Sequence, residues 1–335
     1  MGAPTHIRTR RRAAPFRLAA VFVVALVPLL TTPVVAEPEI SVPSGARNVT
    51  QEWKEFQYNG TLNAERVDAA YATVLDELRG YKVIVVPSYL SSLLIDAGEL
   101  GLTDYFRSQV DALKADGIDA EIAPIDTEES VAENGRRLAA FVAASTRSVC
   151  IISHSKGGLD TLEFLLHAGS QFRRQVACWV ALQTPFGGSP VADLIVSEDW
   201  TRGIAEPVLR ALGGSGKSID DLTVDTRKKY MNKYAQYVES IGKFFPIIAL
   251  TTYLDASETP SLHMAPTHRW MAGNGIKNDG LVPVSSAILP GARYVVIPGL
   301  DHTDTVAGKP FLGNPVDRVL LWKLLFYLVL SDRPT

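Results

Sequence analysis

The feature of this sequence that most limits its fold is a regular alternation of two hydrophobic patterns. Four segments of strand type, the first of them continuously apolar, each follow an amphipathic segment of helical type, and the links between them are short. The apolar segments are residues 81–87, 118–125, 148–153 and 175–183. Alternating strands and helices form right-handed crossovers between parallel strands, and strands covered on both faces are continuously apolar. The alternation therefore predicts an α/β fold with a mostly parallel sheet and helices on both faces.

Capping and turn residues predict where two of the helices begin or end. Thr103 is expected to open the helix before the second apolar segment, and Gly117 to close it. Ser130 and Glu133 have the spacing of a capping box at the start of the next helix, which is predicted at 131–145.

After the fourth apolar segment the regular alternation stops. Residues 197–244 are charged and of helical character, which predicts a cap or lid inserted over the sheet edge. Strand character returns at 244–254 and at 292–298. The last helical segment, 315–331, is apolar on most sides but is interrupted by Lys323, and we interpret it as a buried core helix.

Residues 1–36 differ in composition from the rest of the chain. Five arginines and no acidic residue precede a short apolar stretch at 18–30, and the small residues Val34 and Ala36 follow. This order is typical of a secretory signal peptide that is cleaved after Ala36. An uncleaved membrane anchor is the alternative, but the apolar stretch is too short to span a bilayer of about 30 Å. We expect a secreted or periplasmic protein in which residues 37–335 form a single domain.

The charge and the cysteine content of the chain limit the kinds of partner and cofactor that it is expected to bind. The chain has 33 basic and 36 acidic residues, so removal of the five leader arginines leaves 28 basic residues and a net charge of −8. An acidic protein without a basic stripe is a poor nucleic-acid binder. Cys150 and Cys178 lie in successive predicted strands, and a disulfide and a buried free pair are equally compatible with the sequence. Neither cysteine has metal-ligand spacing, and no cofactor is expected.

One strand-to-helix join carries a chemical motif, Ser153-His154-Ser155-Lys156-Gly157. It is a variant of the nucleophile elbow Gly-x-Ser-x-Gly in which serine replaces the first glycine. In such an elbow a strained turn raises the serine hydroxyl above the sheet edge, and the residues two positions away must be small. The plainer interpretation is a turn with a serine cap. The position after a buried strand, late in the alternating series, favours Ser155 as a nucleophile.

A nucleophilic serine requires a general base and an acid that orients the base. His302 lies on a loop directly after the last predicted strand, where the base is expected. Asp279, in an Asn-Asp-Gly turn, is the first choice for the acid, and Asp255 is the reserve. Asp301 and Asp304 lie too close to His302 in sequence to orient its ring easily. The alternative is that His302 is a surface-loop histidine and that Asp279 only forms a turn.

Four segments in this order resemble the secreted bacterial lipases and esterases of the α/β-hydrolase fold. They are SHSKGGL at the elbow, LQTPFGGSPVADLI after the next strand, NDGLVPVSSA at the acid and LDHTD at the histidine. The resemblance covers most of residues 80–305 and implies that Ser155 is the nucleophile, His302 the general acid and base, and Asp279 the orienting acid. It also implies an oxyanion hole formed by two backbone N–H groups, which we assign to Lys156 and Tyr89.

Besides Ser153, the sequence differs from the family pattern at three places. Residues 87–90 read Pro-Ser-Tyr-Leu where the family carries His-Gly, which makes Tyr89 the best placement for the second oxyanion donor. Phe186 replaces a histidine of the family. Lys156 puts a cationic side chain beside the nucleophile, which either favours anionic or polar acyl substrates or extends to solvent, and we expect the latter.

The resemblance implies an exported serine hydrolase that cleaves carboxylic esters of small molecules or lipids, with transient contact with a lipid surface. A polyhydroxyalkanoate depolymerase, a thioesterase or an acyltransferase would use the same triad. A hydrolase-like binding protein without catalytic activity is the alternative from a different class.

Overall fold

The computed structural model is built on a seven-stranded sheet in which every neighbouring pair of strands is parallel. The structure describes residues 40–88, 104–169, 173–197, 218–258, 260, 264–308 and 316–331. The sheet strands are β1 (Arg47–Asn48), β4 (Lys82–Val86), β6 (Asp119–Ile122), β7 (Val149–His154), β8 (Val176–Leu182), β9 (Ile247–Tyr253) and β10 (Arg293–Pro298). Their order across the sheet is β1-β10-β9-β8-β7-β4-β6. The four strands predicted from the alternating patterns therefore lie side by side.

Four short strands form two small antiparallel pairs outside the main sheet. They are β2 (Gln57–Tyr58) with β3 (Thr61–Leu62), and β5 (Asp104–Tyr105) with β11 (Ala307–Gly308). The second pair joins the segment before a helix to the loop that contains His302.

The helices cover both faces of the sheet. They are α1 (Thr50–Lys54), α2 (Ala64–Arg79), α3 (Arg107–Ala115), α4 (Val131–Ala143), α5 (Lys156–His167), α6 (Pro190–Val196), α7 (Val224–Lys233), α8 (Ala235–Ile241), α9 (Ala265–Gly273) and α10 (Arg318–Ser331). Two short 3₁₀ turns lie at Asp220–Leu222 and Val284–Ala287. This arrangement confirms the predicted class, a mostly parallel sheet between two helical layers.

Alternate residues of the central strands supply two separate cores, because successive side chains of a strand point to opposite faces. In β4, Val83 and Val85 pack with helices α2, α3 and α10, whereas Ile84 and Val86 pack with α4, α5 and α8. The C-terminal helix α10 is buried as predicted, and Lys323 forms an ion pair with Asp68 at 2.8 Å.

Helix α3 begins at Arg107, later than the sequence predicted. Phe106 has a left-handed backbone with φ of 59°, and the two residues before it pair with β11, so the chain is not helical there. Asp104 Oδ1 accepts the Ser108 N–H at 2.9 Å in the first turn of the helix. The predicted first residue, Thr103, lies outside the described residues. Gly117, with φ of 81°, follows the helix end as expected.

The predicted capping box at the start of α4 is only half formed. Ser130 Oγ accepts the Glu133 N–H at 3.2 Å, as expected. The reciprocal bond is absent, because Glu129 Oε1 accepts the Ser130 N–H instead and the Glu133 carboxylate pairs with Arg136 and Arg137.

The described part of the predicted cap is helical. Residues 198–217 lie outside the described residues, while α7 and α8 follow them and α8 packs against α5. Val238 and Ile241 of α8 are buried in the core of that face. The action of 197–244 as a lid stays a prediction.

The sequence left open whether the two cysteines form a disulfide or a buried free pair, and the structure shows a disulfide. Cys150 and Cys178 are directly paired across β7 and β8, with their Cα atoms 4.7 Å apart, and they form a disulfide. Among the described residues, none of the helices combines the length and the apolar character needed to cross a membrane.

Candidate active site

The strained strand-to-helix turn that the motif predicts is present at the carboxyl end of β7. Ser155 lies between the last residue of β7 and the first of α5, with φ of 52° and ψ of −126°. A non-glycine residue in this region is strained and persists only where its surroundings hold it. Here the Ser155 N–H donates to the Leu182 carbonyl at 2.9 Å and the Ser155 carbonyl accepts the Gly158 N–H at 3.0 Å. These bonds fix the turn so that the hydroxyl lies above the sheet edge.

Close backbone contacts explain the small residues around Ser155. A Cβ atom on Gly157 would overlap the carbonyl oxygens of Val86 and Pro87, and one on Gly158 would overlap the Thr184 side chain. A side chain at either glycine would therefore displace the neighbouring strand or loop.

Serine also fits the position of the first glycine of the elbow. Ser153 is fully buried in β7, and its Oγ accepts a hydrogen bond from Trp179 Nε1 at 2.9 Å. The hydroxyl therefore has a polar partner inside the core.

The structure brings Ser155, His302 and Asp279 together. Ser155 Oγ lies 2.9 Å from His302 Nε2, and His302 Nδ1 lies 2.8 Å from Asp279 Oδ2. Asp279 and His302 are 1% and 3% exposed, so water hardly competes for these bonds. An ionised carboxylate only accepts, which places the proton of the neutral imidazole on Nδ1 and leaves Nε2 to accept from the serine hydroxyl.

The Asp279 turn fixes the orientation of the carboxylate. Its Oδ1 accepts the N–H groups of Leu281 and Val282 at 3.0 and 2.7 Å, which leaves Oδ2 for the histidine. The backbone N–H of His302 also donates to the Asp279 carbonyl at 2.9 Å. The reserve candidate, Asp255, is exposed, and its N–H bonds locally to Glu258.

Asp301 and Asp304 hold the histidine turn rather than the histidine ring. Asp301 Oδ1 accepts from the N–H and the hydroxyl of Thr303, each at 2.9 Å. Asp304 Oδ2 accepts the Asp301 N–H at 2.8 Å. Both side chains are buried and shape the loop that carries His302.

His154 contacts the histidine loop from below the elbow. Its Nε2–H donates to the His302 carbonyl at 2.9 Å, and the two rings lie 4.9 Å apart. Burial is the main cause that lowers the pKa of His154 well below its usual value, and the neighbouring His302 lowers it further. The ring is therefore neutral and accepts at Nδ1, where the Tyr105 hydroxyl lies at 3.5 Å. Tyr105 in turn accepts the Ser88 N–H at 3.1 Å.

Lys156 does not extend to solvent, so the interpretation that the sequence favoured for its side chain is wrong. The residue is fully buried, and its Nζ lies 3.1 and 3.3 Å from the two carboxylate oxygens of Asp160, one helical turn away. Asn134 of α4 donates to Asp160 Oδ2 at 3.1 Å. Helix α4 packs over α5, which removes the path to water. Burial raises the pKa of Asp160 to about 7, against the opposing effect of the Lys156 ammonium.

The two predicted oxyanion donors differ in what the structure describes. Lys156 is the first residue of α5, where a backbone N–H has no acceptor within its own helix. The positive end of the helix dipole lies at the same place and favours negative charge. Tyr89 lies outside the described residues.

Phe186 is a core residue. It is 1% exposed and packs edge-on against Trp179 with 5.8 Å between ring centroids. The replacement of the family's histidine thus adds to the packing beneath the sheet edge.

Sequence reasoning missed Gln183. It follows β8, is fully buried, and bonds both to Asp279 and to the Asp301 carbonyl. A polar residue at the carboxyl end of the strand beside the nucleophile strand is a signal that could have identified it, because ligands and catalytic groups collect at that edge. Among the described residues, no three His, Cys, Asp or Glu side chains are grouped so that they could hold a metal ion.

Solved structures of other proteins share this fold. A lipase from Bacillus licheniformis, BlEst2 in its mature form, is 22% identical, with a TM-score of 0.55 over 67% of this chain and 85% of the other. The metagenomic carboxyl esterase MGS0156 is 19% identical, with a TM-score of 0.62 over 76% of each chain. The propeptide form of BlEst2 is 21% identical, with a TM-score of 0.53 over 67% of this chain and 46% of the other.

No family model and no curated protein matches the sequence. At these identities the structural likeness shows the fold alone, and it confirms the α/β-hydrolase fold that the four motifs implied.

Proposed function

We propose that this chain, whose fold is that of the α/β-hydrolases, is an exported serine hydrolase that cleaves carboxylic esters. One observation carries the proposal: an unbroken hydrogen-bonded series runs from Ser155 Oγ through His302 to Asp279, with distances of 2.9 and 2.8 Å. A hydroxyl, an imidazole and a carboxylate in this order form the arrangement that activates a serine for attack on an acyl carbon.

In the proposed reaction Ser155 Oγ attacks the ester carbonyl carbon while His302 Nε2 takes the hydroxyl proton. Asp279 holds the ring and stabilises the imidazolium. His302 then gives the proton to the leaving alcohol, and an acyl group remains on Ser155. Water enters, loses a proton to His302 and attacks the acyl carbon, which releases the carboxylic acid and restores the serine hydroxyl.

The oxyanion of each tetrahedral intermediate requires hydrogen-bond donors. We assign this role to the N–H groups of Lys156 and Tyr89. The position of Lys156 at the positive end of the α5 dipole supports its assignment. Loss of one such donor costs on the order of 3 kcal/mol in the barrier.

The strain at Ser155 supports a catalytic role over a purely binding one. A positive φ at a non-glycine residue costs about 1–3 kcal/mol, and such strain collects at active sites. A binding protein has no need for a strained serine with an oriented base.

Export of the protein is part of the proposal. The disulfide between Cys150 and Cys178 supports it, since disulfides persist outside the reducing cytosol. Residues 1–36 would be removed after Ala36, and residues 197–244 would cover the site as a cap. The substrate would be a small-molecule or lipid ester, bound with transient contact with a lipid surface.

The proposal is tested with Ser155→Ala and a fluorophosphonate probe, which modifies only an activated serine. We expect the wild-type protein to hydrolyse p-nitrophenyl esters and to take up one probe, and Ser155→Ala to lose both while its thermal unfolding is unchanged. Ser153→Ala, two residues away, is the control and should keep its labelling. A wild-type protein that neither reacts with the probe nor turns over any of short esters, long-chain glycerides and polyesters would identify a non-catalytic binding protein.

A further inference from the structure

Gln183 occupies an unusual place next to the proposed triad. It follows the last residue of β8 and has φ of 49°, in the left-handed region that non-glycine residues rarely adopt. Its backbone N–H donates to the Leu250 carbonyl of β9 at 2.7 Å, and its side chain is fully buried. The strain at this position turns the side chain along the sheet edge instead of into either core.

The side-chain amide of Gln183 connects the acid turn with the histidine turn. Its Nε2 lies 2.9 Å from the Asp301 carbonyl, 2.6 Å from Thr252 Oγ1 and 3.3 Å from Asp279 Oδ2. Its Oε1 accepts the hydroxyl of Thr305 at 2.6 Å. One side chain therefore contacts the proposed acid, the residue before the proposed base and the end of the same loop.

The contacts define which end of the amide faces the acid. Two of the groups near Nε2 accept hydrogen bonds and cannot donate them. They are the Asp301 carbonyl and the ionised Asp279 carboxylate. Rotation of the amide by half a turn would place Oε1 against both acceptors and repel them. The orientation with the N–H groups toward Asp279 is therefore the only one that satisfies the site.

We propose that Gln183 is a positioning residue of this site, which sets the distance between Asp279 and His302 by holding the acid and the histidine turn in one hydrogen-bonded unit. The inference rests on the proposed function and deepens it. Gln183 acts through Asp279 Oδ2, the same oxygen that accepts from His302 Nδ1, and through the Asp301 carbonyl, which fixes the backbone that carries the ring.

The role has a kinetic consequence. When the imidazolium forms, Asp279 and His302 must keep their geometry, and a misplacement of about 1 Å can cost about 100-fold in rate. The side chain of Gln183 makes its hydrogen bonds to the acid and to the histidine turn and none to Ser155, so its loss should affect proton transfer rather than substrate binding.

The test compares Gln183→Met with Gln109→Met in the full-length chain. Both variants replace a buried glutamine by an apolar side chain of equal length. Gln109 is 1% exposed and bonds weakly to the Thr305 carbonyl, at 3.4 Å, but reaches neither Asp279 nor Asp301. We expect Gln183→Met to lower kcat about 10- to 100-fold with KM unchanged, and Gln109→Met to keep kcat within about threefold. Rates are expressed per folded molecule, with the folded fraction taken from circular dichroism.

A milder variant covers the case in which Gln183→Met does not fold. Thr305→Val keeps the shape of a buried side chain but removes the hydroxyl that fixes Gln183 Oε1. It should lower kcat by a smaller factor, again with KM unchanged. Equal kcat for Gln183→Met and Gln109→Met would overturn the positioning role. If Gln183→Met does not fold, equal kcat for Thr305→Val and wild type would overturn it. A wild-type protein without ester turnover or probe labelling would instead refute the proposed function itself.

Discussion

Asp279 illustrates how much of the proposed chemistry depends on single atoms. Its two carboxylate oxygens have different partners: Oδ1 accepts two backbone N–H groups of its own turn, and Oδ2 accepts from His302 Nδ1. In Asp279→Asn, the turn would keep the amide oxygen and direct the amide N–H₂ toward His302. The ring would then carry its proton on Nε2, where it cannot accept from Ser155.

We therefore expect Asp279→Asn to lower kcat by about 10³- to 10⁴-fold with little change in thermal unfolding. The measurement is ester turnover at saturating substrate, and Asp255→Asn is the matched control because that carboxylate is exposed and outside the site. Comparable losses in the two variants would show that the orienting acid had been assigned to the wrong residue.

The depressed pKa of His154 has a consequence for stability. Burial, more than the neighbouring His302, keeps the folded ring neutral, while the unfolded chain takes up a proton near pH 6.5. The unfolded state therefore binds more protons below that pH, and the free energy of unfolding falls as the pH falls. His154→Gln removes the titrating group and keeps an N–H donor.

We expect the free energy of unfolding of wild type to fall more steeply than that of His154→Gln between pH 6.5 and about 5, by up to about 1.4 kcal/mol per pH unit. The raised pKa of Asp160 makes the free energy of unfolding rise as the pH falls. This contribution is the same in both proteins and therefore cancels when their slopes are compared. Urea unfolding at three pH values gives both slopes, and parallel slopes would contradict the assignment of a neutral buried ring.

At the scale of elements, helix α5, which begins directly after Ser155, is joined to α4 by a buried ionic group. Lys156, Asp160 and Asn134 form one hydrogen-bonded cluster beneath the first turn of α5. Removal of one charge leaves the other buried and unpaired, whereas apolar replacement of both often restores stability.

We expect Asp160→Leu to lower the free energy of unfolding by about 3–5 kcal/mol, and the double variant Lys156→Met with Asp160→Leu to recover most of that loss. Chemical unfolding of the wild type, each single variant and the double variant measures the coupling. If the two single losses simply add, the pair does not act as a unit. Ester turnover of the double variant tests whether the backbone N–H of residue 156 can serve as an oxyanion donor without the lysine side chain.

These elements also show what the sequence could and could not predict. Period and local spacing identify strands, helices and the elbow, because those features depend on residues close together in the chain. The order Ser155, Asp279, His302 was accessible through motifs. The burial of Lys156 was not, since it follows from the packing of α4 over α5. The role of Gln183 was hidden for the same reason, because its partners in the acid and histidine turns lie 96 to 122 residues away.

For the whole molecule, two independent features support the export proposal. The leader-like residues 1–36 carry five arginines and no acidic residue, and the two cysteines are joined across β7 and β8. Each feature alone is common, but disulfides persist mainly in compartments where thiols are not kept reduced.

Processing and oxidation should therefore occur together when the full chain is made in a secreting host. We expect the exported protein to begin at Glu37 and to contain no free thiol after unfolding, as read from its intact mass and from thiol titration. Ala36→Phe is the control, because a bulky side chain at the cleavage position blocks the peptidase that requires small residues. This variant should retain the leader and stay with the membrane fraction. A protein that stays in the cytosol with residues 1–36 attached, or that releases two free thiols on unfolding, would contradict the export proposal while leaving the geometry of Ser155 and His302 unaffected.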